Sequence, residues 1–143
     1  MNASNYMKNG YACAESVLLA VTEKIGLKNE IIPKIATGFC AGIGRIGDIC
    51  GAISGGIMCI GIRYGRNKPN ENEAYEKCME KARELILRFH EKYGEIHCEK
   101  LIGLRLLDQR DREKYRMENF KEKYCSGIVE DVAKIVMEII SDG

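Results

Sequence analysis

Apolar positions along the chain recur mostly at three- and four-residue spacing, which predicts an all-α fold. The clearest run covers Glu71 to Tyr93. There Tyr75, Cys78, Ala82, Leu85, Phe89 and Tyr93 share one face, charged residues fill the other, and Gly94 follows as a stop. At about 1.5 Å per residue this helix spans roughly 34 Å, enough to cross a small domain. A second run, Cys13 to Ile25, carries Val17, Leu18, Val21 and Ile25, and Gly26 closes it. A last run starts at Cys125 or Ser126 and reaches Ile140, with Val129, Val132, Val136, Ile139 and Ile140 as its stripe. Asn2 to Asn9 predicts a short first helix ended by Gly10. A third helix is expected after Asn29, with Ile31, Ile32, Ile35, Ala36 and Phe39 on one face and Pro33 in its first turn. Cys98 to Leu107 reads as one or two turns. Asp108 to Tyr124 is so densely charged that it reads as partly helical, solvated surface.

The segment Ile49 to Tyr64 differs from these. It is apolar on nearly every side, and Asp48 can cap it. Gly51, Gly55 and Cys59 repeat every fourth residue, with Ala52 and Gly56 beside them. Small side chains cost helix propensity and let a neighbouring backbone come close, so packing must compensate. The pattern predicts a compact bundle of about six helices around this central glycine-rich helix, as one domain over residues 1–143. A helix apolar all round can also be covered by a second copy, so a homodimer is expected. The uncharged run Ile49 to Ile62, between Asp48 and Arg63, is 14 residues, short of the roughly 20 that span a bilayer. With no secretory signal in the polar start Met1 to Gly10, the expectation is a cytoplasmic protein without membrane insertion.

Charge excludes more than it suggests. Lys and Arg number 22 and Asp and Glu 21, for a net charge of +1, so there is no electrostatic case for nucleic acid. The cysteines suggest more. Seven in 143 residues is many, and the number is odd. In a reducing compartment that favours metal binding or redox work over a disulfide framework. No C-x-x-C pair exists among Cys13, Cys40, Cys50, Cys59, Cys78, Cys98 and Cys125, so the fold must assemble any joint site. Cys13, Cys50, Cys98 and Cys125 each stand where a helix is expected to start. Partial positive charge and free N–H groups there favour a thiolate and lower the cysteine pKa. Cys59 and Cys78 fall on apolar faces and read as core; Cys40, at the end of the third helix, is ambiguous.

Other motifs carry less. Gly42-Ile43-Gly44-Arg45-Ile46-Gly47 spells G-x-G-x-x-G, but a dinucleotide fingerprint needs a preceding strand, and here a helix precedes it. The stretch reads instead as a flexible loop that delivers Cys50, with Arg45 placed to add positive charge. His90 reads as a boundary residue of the long helix. His97 adjoins Cys98 and is either a polar loop residue or a ligand or proton donor. Glu15, Glu99 and Asp131 are expected in first helical turns, where they complement the dipole.

Around Cys50 the chain reads Cys50-Gly51-Ala52-Ile53-Ser54-Gly55, a C-G-A-x-x-G motif, with Tyr11-Ala12-Cys13-Ala14 before it and Cys98 and Cys125 after it. In these residues the chain resembles the redox-active family named C_GCAxxG_C_C over nearly its whole length. The resemblance implies a small helical protein whose four marking cysteines are Cys13, Cys50, Cys98 and Cys125. It also implies a redox role, and related domains carry an iron–sulfur centre at such cysteines. Cys40 stands where a small residue is expected and is an additional candidate ligand. The expected function is electron transfer or thiol redox chemistry through these cysteines, with an iron–sulfur cluster or a dithiol, and with a redox partner protein. If the chain is an enzyme, it is an oxidoreductase. The alternative is a non-catalytic thiolate module holding zinc or copper.

Overall fold

A computed structural model describes residues 1–141. The fold is all-α. In chain order the helices are α1 (Ala3–Lys8), α2 (Cys13–Lys24), α3 (Gly51–Tyr64), α4 (Asn72–Tyr93), α5 (Cys98–Ile102), α6 (Gln109–Met117) and α7 (Ser126–Ser141). A 3₁₀ segment, Lys34–Phe39, follows α2, and a π-helical turn, Lys121–Cys125, runs directly into α7.

The apolar stripes meet around α3, which packs against α2, α4 and α7, while α1 closes over α2 and α7. Leu18 and Val21 from α2, Ile53 and Ile60 from α3, Leu85 and Phe89 from α4, and Val132, Val136 and Ile139 from α7 are fully buried. The glycines of α3 allow this crowding. A Cβ at Gly55 would stand 2.5 Å from the Ala14 carbonyl oxygen of α2, and one at Gly56 would stand 2.8 Å from Leu85 and 2.9 Å from Val136. Much of the apolar surface of α3 is thus covered by its own chain, while Ile62 near its end stays exposed.

The expected third helix is the main departure. Only Ala36 of its stripe is buried, and Ile31, Ile35 and Phe39 are exposed. A 3₁₀ segment turns every three residues, so positions four apart no longer share a face. The charged stretch is better ordered than expected. Asp108 caps α6 by accepting from the Arg110 amide at 2.8 Å, although no residue of α6 is buried.

After the 3₁₀ segment the chain winds left-handed. Five consecutive residues, Ala41 to Arg45, have positive φ, including the non-glycines Ala41 (57°), Ile43 (66°) and Arg45 (70°). Each non-glycine there costs roughly 1–2 kcal/mol, which the surrounding contacts must outweigh. The Gly44 amide donates to the Gly38 carbonyl and the Asp48 amide to the Gly42 carbonyl, both at 2.9 Å. Gly42 is obligatory, since a Cβ there would stand 2.6 Å from the Asp48 nitrogen. The G-x-G-x-x-G stretch is therefore a tightly wound connector between the 3₁₀ segment and α3.

Candidate functional site

Two backbone hydrogen bonds bring the Cys50 and Cys98 segments together. The Cys50 amide donates to the Ile96 carbonyl at 2.8 Å, and the Cys98 amide donates to the Asp48 carbonyl at 2.7 Å. Ile49 and His97 form an isolated antiparallel bridge between them. This short pairing holds the starts of α3 and α5 side by side, which no helical periodicity could reveal.

Cys13, Cys40, Cys98 and Cys125 line one cavity of about 530 Å³. Cys50 does not line it; it is 7% exposed within the main core, close enough to Cys98 and Cys125 for their charges to act on it. Cys98 and Cys125 also pack on a second apolar cluster of Ile102, Leu104, Leu106 and Phe120. The cavity therefore lies between two apolar masses. Arg45, Arg112 and Lys121 contribute its cations, and Tyr115 contributes a phenol that donates to the Cys125 sulfur at 3.3 Å. Arg45 was expected near Cys50 and instead shares the cavity with the other four cysteines. Cys59 is fully buried in the main core and Cys78 is half-buried at its edge; neither lines the cavity.

Three of the four helix-start assignments match the structure. Cys13 opens α2, Cys50 caps α3 and Cys98 opens α5. Cys125 does not start a helix. It ends the π-helical turn inside a continuous helical run that begins at Phe120 and continues into α7. Asp131 lies within α7 rather than in a first turn, and it pairs with Tyr93 and Lys92.

The expected lowering of the thiol pKa is overturned at Cys50, Cys98 and Cys125. Burial pushes Cys50 up to about 12, although the Ala52 and Ile53 amides at the start of α3 pull the other way. Burial pushes Cys98 up to about 11, with the neighbouring Cys125 adding to it. Cys125 is raised by burial and partly relieved by the Tyr115 hydroxyl and Lys121. A sulfur stripped of water loses more as an anion than one helix terminus returns. Cys40 is raised by the neighbouring Cys13 thiol and by burial, against the opposing amides of Glu15 and Ala14.

His97 is tied to Glu95, Nδ1 to Oε1 at 2.6 Å, and does not line the cavity; His90 is exposed on α4. Among the described residues, no group of three or more His, Cys, Asp or Glu side chains closes on one point as a metal shell. All seven cysteines are free thiols. No described helix is long and apolar enough to cross a membrane.

Fold and site define a small all-α protein with a thiol-lined, cation-walled cavity at the meeting point of four chain segments. The family model described as "Putative redox-active protein (C_GCAxxG_C_C)" matches residues 11–139, and the chain belongs to that family. The description assigns the family a redox role in general terms. No curated protein and no solved structure matches the chain.

Proposed function

We propose that the chain is a redox protein whose electrons pass through Cys13, Cys50, Cys98 and Cys125, working in the cytoplasm with a separate redox partner protein. One observation carries this reading. Thiols from α2, the end of the 3₁₀ segment, α5 and the turn before α7 line one cavity, and Cys50 is buried beside it.

An iron–sulfur cluster suits this donor set. Thiolates are the ligands such clusters take, and the cavity admits a body larger than a single ion. Arg45, Arg112 and Lys121 supply positive charge against the negative charge that thiolates would bring. When bound, the cluster would supply one-electron transfer at a potential set by burial and hydrogen bonds to sulfur. The chain's own residues provide those settings. Tyr115 donates to the Cys125 sulfur, the Ala52 and Ile53 amides act on Cys50, and the two apolar clusters limit water. Cys40 is an additional candidate ligand. The second form of the same reading uses the thiols directly, as a dithiol and disulfide.

Anaerobic purification followed by visible absorption and iron, sulfide and zinc analysis tests this. Brown protein with iron and acid-labile sulfide supports the cluster. Colourless, metal-free protein that loses and regains two thiols on oxidation and reduction supports the dithiol form. Colourless protein with stoichiometric zinc and thiols inert to oxidant would overturn the redox reading in favour of a metal-binding module.

A further inference from the structure

Gly51, in the C-G-A-x-x-G motif, separates two cysteines that the sequence keeps 27 positions apart. A Cβ at Gly51 would collide with the Cys13 sulfur and stand 3.3 Å from the Cys40 Cα. The Cys13 sulfur and the Cys40 backbone therefore converge on the space this glycine leaves open. The Cys40 thiol itself donates to the Ala36 carbonyl at 3.7 Å, and Cys13 is close enough to hold its proton on. Both residues are only half-buried, unlike Cys50, and both line the cavity.

The cavity wall also has a sign. Arg45, Arg112 and Lys121 line it, and among the described residues no carboxylate does. Arg112 is held by the carbonyls of Leu106 and Leu107 at 2.8 and 3.0 Å. Arg45 is exposed on the strained left-handed turn next to Cys40. At about 530 Å³ the space is within the usual range for a small organic ligand.

We propose that Cys13 and Cys40 form a dithiol that reduces small, carboxylate-bearing disulfides drawn into the cavity by Arg45, Arg112 and Lys121. This rests on the redox reading of the cavity and adds a substrate class and a cysteine pair to it. Cys13, at the first turn of α2, attacks one sulfur of the substrate as a thiolate. The substrate S–S bond breaks, a Cys13 mixed disulfide forms, and the first substrate thiolate leaves and takes the proton that Cys13 had released to water. Cys40, which keeps its proton until then, attacks the Cys13 sulfur of the mixed disulfide. Its proton leaves with the second substrate thiol. In sum, two protein thiols lose two electrons and two protons to form the Cys13–Cys40 disulfide, and one substrate disulfide becomes two thiols.

The test uses the full chain, reduced and freed of reductant, with glutathione disulfide as the anionic probe and 2-hydroxyethyl disulfide as the neutral one. Remaining thiols are blocked at intervals and peptides are mapped by mass spectrometry. The expected product is a Cys13–Cys40 link formed with release of two probe thiols. Cys40→Ser should instead accumulate the Cys13 mixed disulfide. Arg45→Gln should slow the reaction with glutathione disulfide about tenfold more than that with the neutral probe, the selectivity that charge attraction gives. A link among Cys50, Cys98 and Cys125 with Cys13 and Cys40 left as thiols would overturn this pair while leaving the redox reading intact. Equal slowing of both probes by Arg45→Gln would overturn the substrate class. If no cysteine reacts and the anaerobic protein also carries no cluster, both readings fail.

Discussion

The Tyr115 hydroxyl of α6 donates to the Cys125 sulfur at 3.3 Å, joining a helix with no buried residue to the wall of the cysteine cavity. Burial raises the pKa of Cys125, and this hydrogen bond works against it by favouring the thiolate. Tyr115→Phe should therefore raise the Cys125 thiol pKa further and slow its alkylation at alkaline pH. The pH profile of iodoacetamide labelling at Cys125, read by peptide mass, checks this. A profile identical to the unmodified chain's would show that the contact has no electrostatic role.

The glycines of α3 should divide by what lies beside them. Gly51→Ala adds a methyl group that meets the Cys13 sulfur and stands 3.0 Å from the Phe39 carbonyl oxygen. It should cost about 1–3 kcal/mol, the usual range for overpacking. At Gly61, in the same helix, a Cβ would meet nothing within 4 Å. Gly61→Ala should stabilise the chain by up to about 1 kcal/mol through helix propensity. Urea unfolding of the two variants measures both signs.

Alkaline pH should destabilise the protein before it reaches the usual range of lysine. Cys50 is held at about 12 and Cys98 at about 11, above the thiol's ordinary value of 9.0. Once pH passes that ordinary value, the unfolded chain loses these protons while the folded chain keeps them. Folding stability then falls with rising pH until the folded thiols also ionise. Thermal midpoints should be level up to about pH 8.5 and decline from there to about pH 11. Cys50→Ala should flatten that decline in a pH series of melting curves.

Cys59 and Cys78 should be dispensable for chemistry. Cys59 is fully buried, held by burial at about 12, and does not line the cavity. Cys59→Ala should cost about 1–2 kcal/mol through lost packing, and Cys78→Ala about 1 kcal/mol. Both should keep the metal content and thiol redox behaviour of the parent chain in the same anaerobic assays. Loss of either property would move the reacting set away from the cavity.

The helices with strong stripes were legible in the sequence because their period states which face is buried. Leu85 and Phe89 on α4, and Val129 to Ile140 on α7, pack where that period puts them. The small residues of α3 likewise announced a close approach, which Gly55 makes to Ala14. The C-G-A-x-x-G motif and four spaced cysteines were enough to indicate the family. Tertiary structure decided the rest. Ile35 and Phe39 lie exposed because Lys34–Phe39 winds as 3₁₀, and Ile31 because it falls in the turn before that segment. Cys125 moved inside a helix because a π turn after Phe120 continues into α7 without a new start. At Cys50, Cys98 and Cys125 thiol acidity followed burial rather than helix position, and that burial depends on how α3, α5 and the turn before α7 close together. The meeting of Cys13 with Cys40 had no local signal at all. It exists because Gly51 lacks a side chain and the left-handed turn returns the chain to α3, a relation between distant segments that only packing can set.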